Sequence, residues 1–80
     1  MATREDMKSW VLAALTSLGG KAWPSDVAKY IWHNYESELR RSGNLLYTWQ
    51  YDARWAATAL RKAGNLKAVH GRRDLPWELA

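Results

Sequence analysis

The sequence predicts a small, mainly α-helical domain of the α+β class, with three helices and a hairpin of two to three short strands. Three segments carry apolar residues at every third or fourth position, which is the spacing of a helix that buries one face. After the third segment, apolar and polar residues alternate on either side of a polar turn, the pattern of a β-hairpin. Eighty residues suit one domain, residues 1–80.

The first helix is predicted from six apolar residues at offsets of three and four. They are Met7, Trp10, Val11, Ala14, Leu15 and Leu18. Gly19-Gly20 follow them, and glycine readily adopts the left-handed backbone that ends helices. We expect this helix, Trp10 included, to serve packing.

The second helix is predicted to begin at Pro24, because proline suits the first helical position. Lys21-Ala22-Trp23 before it is long enough for a single bridge of a small sheet. The helix is expected to run to about Tyr35 and to bury Val27 and Ile31.

Residues 36–46 are expected to be the loosest part of the chain. Ser42-Gly43-Asn44 is a turn signal, while Leu39 and Leu45-Leu46 are expected to anchor the segment. A connection of this length exceeds what two tightly packed helices need.

The third helix, residues 47–64, is predicted to have two chemically different faces. The apolar face is formed by Trp55, Ala56, Ala59, Leu60 and Ala63, and the polar face by Gln50, Arg54, Thr58, Arg61 and Lys62. Asp52 is the one carboxylate expected near the polar face. Thr48 is either a DNA contact or the N-cap, and Gly64-Asn65 are predicted to end the helix.

The hairpin is predicted from the C-terminal residues. Residues 66–70 alternate enough for a strand, 71–74 form a turn, and 75–79 return as an edge strand shortened by Pro76. This element order is that of a winged helix-turn-helix domain, in which the third helix enters the major groove of DNA and the hairpin forms a basic wing.

Charge is distributed unevenly along the chain, whose net charge is +4. Residues 1–38 carry four basic and five acidic residues, net −1, whereas residues 39–80 carry eight basic and three acidic residues, net +5. A polyanion such as double-stranded DNA is the simplest partner for a chain polarised in this way.

The predicted DNA contacts lie on the third helix and the wing. Arg54 suits guanine and Gln50 suits adenine, since their side chains can contact these bases bidentately. Trp49 and Tyr51 are expected to divide roles, with one ring packing and the other free to touch a base methyl group. The full predicted set is Tyr47, Thr48, Trp49, Gln50, Tyr51, Arg54, Thr58, Arg61, Lys67, Arg72 and Arg73.

Catalysis finds little support in the sequence, so we expect no enzyme. The chain has no cysteine, and its two histidines lie 37 positions apart without a nucleophile partner. Gly19-Gly20-Lys21 lacks the other residues of a phosphate-binding loop, and the carboxylates have no metal-ligand spacing. We therefore expect no cofactor, no metal, no membrane association and a cytoplasmic location.

The run Trp55-Ala56, Thr58, residues 60–64 and Leu66 resembles the winged-helix domain at the N-terminus of Mrr-type restriction proteins. The predicted hairpin, HGRRDLPWEL, also resembles the R-G-x-W-x-[IL] pattern of this family, with Gly71, Trp77 and Leu79 in comparable places. The resemblance implies a bacterial DNA-binding module that delivers a nuclease domain in cis or in trans. It also implies a role in sensing 6-methyladenine.

Two other functions stay open at this point. One is a small standalone transcription regulator with the same fold. The other is a winged helix that binds a protein through exposed Trp and Tyr side chains. The sequence gives neither the cognate DNA site nor the oligomeric state.

Overall fold

The structure, a computed structural model, describes residues 1–69, 71–72 and 74–80. Its elements in chain order are α1 (Asp6–Ser17), β1 (Lys21–Ala22), α2 (Pro24–Arg40), α3 (Leu45–Lys62) and β2 (Trp77–Glu78). The predicted content of three helices and a small antiparallel sheet is therefore confirmed.

Helix α1 ends where the two glycines predict. The Gly20 N–H donates to the Leu15 carbonyl at 2.7 Å, and the Gly19 N–H donates to the Thr16 carbonyl at 3.4 Å. This pair of bonds is a Schellman motif, which requires the positive φ of 93° at Gly19. Leu18 is the C-cap and is 40% exposed, so its predicted place on the buried face is wrong.

Helix α2 begins at Pro24, as predicted, but it is longer than the sequence indicated. It continues to Arg40 through a local irregularity at Tyr35, where φ is −125° and ψ is 15°. The expectation of a loose segment over 36–46 is therefore wrong. Leu39 is fully buried, and the burial of this large apolar side chain stabilises the extra helical turn.

The connection between α2 and α3 is short, spanning residues 41–44 only. Ser42 is buried, and its Oγ donates to the Glu38 carbonyl while accepting the Ala2 N–H at 2.9 Å. The Ser42 hydroxyl thus links both the turn and the N-terminal residues to the end of α2 by hydrogen bonds.

Helix α3 begins at Leu45, two residues before its predicted start. Thr48 lies inside the helix and is not its N-cap; its Oγ1 donates to the Asp52 carboxylate at 2.8 Å. Asp52 is only 8% exposed and faces the Arg4 Nε at 3.2 Å. The sequence places this carboxylate near the polar face, but Asp52 is two positions from both Gln50 and Arg54, and at helical spacing this puts it on a different side of α3.

The C-terminus of α3 repeats the device that ends α1. The Asn65 N–H donates to the Leu60 carbonyl at 2.8 Å and the Gly64 N–H to the Arg61 carbonyl at 3.2 Å, with φ of 87° at Gly64. The predicted end is confirmed. Ala63 is the exposed C-cap, so it does not belong to the buried face.

The sheet is built differently from the predicted hairpin. Strand β2 pairs with β1 in antiparallel register, with Lys21 opposite Glu78 and Ala22 opposite Trp77. In the described part of residues 66–70, pairing with the last strand is one bridge, from Leu66 to Leu79. The predicted strand over 66–70 is thus wrong beyond Leu66, and His70 lies outside the described residues.

The core lies between the three helices and combines small residues with large rings. Ala53, Ala56 and Ala57 are at most 4% exposed, and such small side chains let neighbouring helices approach α3 closely. Two stacked ring pairs fill the space around the core: Trp10 with Tyr35 at 4.3 Å between centroids, and Trp32 with Trp49 at 6.0 Å.

Candidate nucleic-acid interface

Six side chains form a continuous stripe along the solvent side of α3, and we call it the outer stripe. Its members, spaced by three or four residues or by one, are Tyr47, Gln50, Tyr51, Arg54, Thr58 and Arg61. Tyr47 is 83% and Tyr51 71% exposed, Gln50, Arg54 and Thr58 are also exposed, and Arg61 is partly buried. This spacing places all six on one helical face.

Two predicted contact residues do not belong to this surface. Trp49 is 7% exposed and stacks on Trp32, so its predicted contact with DNA is wrong, because the ring is used in packing. Tyr51 is the ring left in solvent. The Thr48 hydroxyl is engaged by Asp52 and is not available as a free donor.

The outer stripe is positively charged. In the part of the chain that the structure describes, no carboxylate lies on the stripe or forms a salt bridge with Arg54 or Arg61. The one acidic residue of α3, Asp52, is directed at Arg4 on another side of the helix. The guanidinium of Arg4 also lies 4.1 Å from the centre of the Trp55 ring. This positive group therefore contacts the side of α3 that carries Asp52 and Trp55, and it is separate from the outer stripe.

A cleft of about 550 Å³ separates α3 from the C-terminal residues. We call it the arginine cleft, because three arginines line it. It is lined by Pro24, Arg54, Ala57, Thr58, Arg61, Val69, Arg72, Leu75 and Trp77. A smaller cavity of about 230 Å³ shares Pro24, Arg54 and Trp77 with it and extends to Gln50, so the concave surface follows most of the outer stripe.

Arg61 occupies an unusual position in this cleft. Its Nε is buried, and it has no hydrogen-bond partner among the described residues. Buried donors are nearly always satisfied, and leaving one unpaired costs about 1–3 kcal/mol. The sequence predicted Arg61 as a contact residue, but its half-buried state and the cleft around it depend on where α2 and β2 pack.

The basic residues of the C-terminal segment are already paired with carboxylates. The Arg72 Nε donates to Asp74 Oδ1 at 2.9 Å and its Nη2 to Oδ2 at 2.6 Å. Lys67 Nζ lies 3.2 Å from Glu78 Oε2. Arg72 and Lys67 are both predicted to contact phosphate, and each would have to leave its carboxylate partner to do so. Arg73, also predicted, lies outside the described residues.

The Arg72–Asp74 pair can be tested by titration. The hydrogen bonds from Arg72 hold the pKa of the Asp74 carboxyl below its ordinary value of 3.8. In an Arg72→Gln variant the pKa should rise toward 3.8, as measured by carboxyl ¹³C NMR. An Arg40→Gln variant should leave it unchanged, and an unchanged pKa in Arg72→Gln would contradict the pairing.

A second concave surface lies along α2, and we call it the α2 groove. It encloses about 1260 Å³ between α2 and the start of the sheet and includes Trp23, Tyr30 and Trp32. Trp23 is 49% exposed. Its charged members have both signs: Lys21, Asp26, Lys29, Glu36 and Asp74.

The described residues contain no group of three or more His, Asp or Glu side chains placed to hold a metal ion. In the same residues, no helix combines the length and apolar character needed to cross a membrane. Comparison with known protein families found no match. Curated proteins and solved structures likewise yielded no similar chain, so the resemblance to Mrr-type domains stays a prediction.

Proposed function

We propose that this protein is a winged-helix domain that binds double-stranded DNA. In this proposal the outer stripe of α3 enters the major groove, and residues 66–79 act as a wing on the backbone or the minor groove. A B-DNA major groove about 12 Å wide admits an α-helix. The observation that carries the proposal is the outer stripe itself: long donors and two exposed tyrosines, with no described carboxylate among them.

The order of residues along the stripe supports specific roles. Gln50 lies in the first half of α3 and Arg54 at its middle, one turn further on, and the N-terminal part of a recognition helix reaches base edges in helix-turn-helix proteins. Arg61 lies near the last turn, beside the wing, where the phosphate backbone would pass. Tyr51 is positioned to touch a thymine or adenine methyl group from the same face.

A targeting role in a restriction-type system is the more detailed form of this proposal. It is supported by the resemblance of α3 to Mrr-type domains and by the exposure of Tyr51, which suits contact with 6-methyladenine. The partner would then be a nuclease domain in cis or in trans. A standalone transcription regulator would bind DNA through the same surface, and the presence or absence of a nuclease in the full-length gene or its neighbours distinguishes the two.

The α2 groove favours a second candidate, a protein-binding winged helix. Half-exposed Trp23 lies at its edge, and exposed aromatic rings are typical of protein interfaces. Its mixed charges suit a protein partner better than a polyanion.

A salt titration separates these two candidates. We expect log affinity for an arbitrary duplex to fall linearly with log salt, with a slope of about −3 to −4. This value follows from about −0.9 per neutralised phosphate and from four basic side chains of α3 and the wing that are not assigned to a base, Arg61, Lys62, Lys67 and Arg72. Fluorescence anisotropy of a labelled duplex measures it. A slope near zero, or no binding at low salt, would support the protein-binding candidate.

A further inference from the structure

We propose that the arginine cleft binds one backbone phosphate of DNA, with Arg61 as its central ligand and Asp74 as an internal competitor. The inference rests on the proposed function, because it assigns one part of the same interface. It goes further in naming the group bound, the side chains that bind it and the carboxylate that opposes binding.

The first argument is the unpaired Nε of Arg61. This donor is buried, has no hydrogen-bond partner among the described residues and belongs to a side chain that lines the cleft. A guanidinium has five N–H donors and no acceptor, so only an acceptor can satisfy it. An anionic oxygen in the cleft would do so with a charge-assisted hydrogen bond once the Arg61 side chain turns its buried Nε–H toward the cleft.

The second argument is the convergence of charge from two parts of the fold. Arg54 and Arg61 are seven residues apart and lie on the same face of α3, while Arg72 reaches the cleft from the C-terminal segment. The Thr58 hydroxyl donates to the Arg54 carbonyl at 3.1 Å, so it does not compete for the anion as a donor. Like charges that converge without a described carboxylate between Arg54 and Arg61 favour an anionic ligand.

The third argument is the size and lining of the cleft. A volume of about 550 Å³ lies within the roughly 300–1,000 Å³ of small-molecule sites, so it exceeds what one bare phosphate needs. Val69, Leu75 and Trp77 supply an apolar side. A phosphodiester carries a charged centre between two sugars with apolar faces, and it therefore matches this division better than free phosphate does.

Asp74 sets the strength of the site. Its two carboxylate oxygens hold Arg72 through two hydrogen bonds, so a phosphate must displace the carboxylate to use the same donors. Removing the negative charge of Asp74 should therefore tighten anion binding. Because the Asp74 carboxylate lowers the affinity for every anion, only a ligand that makes further contacts in the cleft would bind well.

The experiment is an NMR titration of arginine Nε–Hε signals in the whole protein, using inorganic phosphate at constant ionic strength. We expect the Arg61 signal to shift saturably, while the Arg40 and Arg41 signals follow only the salt control. Arg61→Lys keeps the charge but removes the fork of donors, and it should weaken phosphate binding about fivefold or more, as followed on Arg54. Asp74→Asn should strengthen binding by a similar factor, and Glu36→Gln, which removes the Arg40 partner, should not.

The outcomes distinguish this inference from the proposed function. An Arg61 signal that moves no more than those of Arg40 and Arg41 overturns the inference, even if the duplex binds in the salt titration. Unchanged affinity in Asp74→Asn overturns the role given to Asp74. If phosphate shifts Arg61 but no duplex binds at low salt, the cleft is an anion site and DNA binding is the part that fails.

Discussion

Replacing Arg54 by glutamate should lower the affinity of the protein for duplex DNA by about 100-fold, equivalent to about 2.7 kcal/mol. Arg54 is exposed at the centre of the outer stripe and also lines both cavities beside α3. A good bidentate base contact contributes about 1–3 kcal/mol of discrimination, and the new negative charge adds repulsion from phosphate. Fluorescence anisotropy at low salt measures the affinity.

Arg41→Glu is the matched control for this variant. It makes the same change in charge at an exposed side chain, but Arg41 pairs with Glu38, which also contacts the N-terminal amine. The N-terminal segment in turn contacts another side of α3, since Arg4, three residues from that amine, pairs with buried Asp52. Arg41 therefore belongs to the part of the protein around the N-terminus, away from the outer stripe. We expect Arg41→Glu to change affinity less than about threefold, as remote surface charges do. Equal losses in the two variants would mean that net charge, and not the outer stripe, determines binding.

The same comparison carries information about specificity. If Arg54 contacts a base, Arg54→Glu should also flatten the preference among sequences in a binding-site selection. A phosphate contact would lower all affinities alike. Performing the selection on methylated and unmethylated duplex would test the proposed role of Tyr51 at the same time.

Replacing Leu39 by alanine should destabilise the fold by about 2–5 kcal/mol. Leu39 has no exposed surface and lies in the last turn of α2, beyond the predicted end of that helix. A domain of this length has a total stability of about 4–12 kcal/mol, so the loss would be a large part of it. Urea denaturation followed by tryptophan fluorescence measures the free energy of unfolding.

Leu18→Ala is the control for the stability experiment. It deletes the same atoms, but Leu18 is 40% exposed at the C-cap of α1. A surface truncation of this kind should cost about 0.5 kcal/mol or little more. If the two variants lose equal stability, the extension of α2 through Leu39 is not the packed turn described above.

The basic side chains of this protein differ in whether a carboxylate already pairs with them, and the sequence does not reveal this difference. Arg54 and Lys67 look equivalent in a count of basic residues. In the fold, Lys67 pairs with Glu78, 11 positions away, because β2 returns beside it. Arg54 has no such described neighbour. Pairing of this kind depends on contacts between distant segments, which local patterns do not encode.

Local chemistry predicted best the C-termini of α1 and α3 and the start of α2. Gly19-Gly20 and Gly64-Asn65 each form the hydrogen bonds of a Schellman motif, because glycine is the residue that accepts positive φ without a steric penalty. Pro24 likewise marks the start of α2. The signals failed where tertiary packing overrides them. The turn signal at residues 42–44 predicts part of a long loop, whereas buried Leu39 and Leu45 bring both helices up to it.

By itself, the sequence determined the three helices, the outer face of α3 and the excess of positive charge in residues 39–80, since each depends on periodicity or composition within one segment. Only the tertiary structure decided which rings pack, that Asp52 turns inward and that β2 pairs with β1. It alone brought Arg54, Arg61 and Arg72 to one cleft. The reason is physical: a local pattern fixes which side of a helix is polar, whereas the packing of α2 and β2 against α3 fixes which polar groups meet.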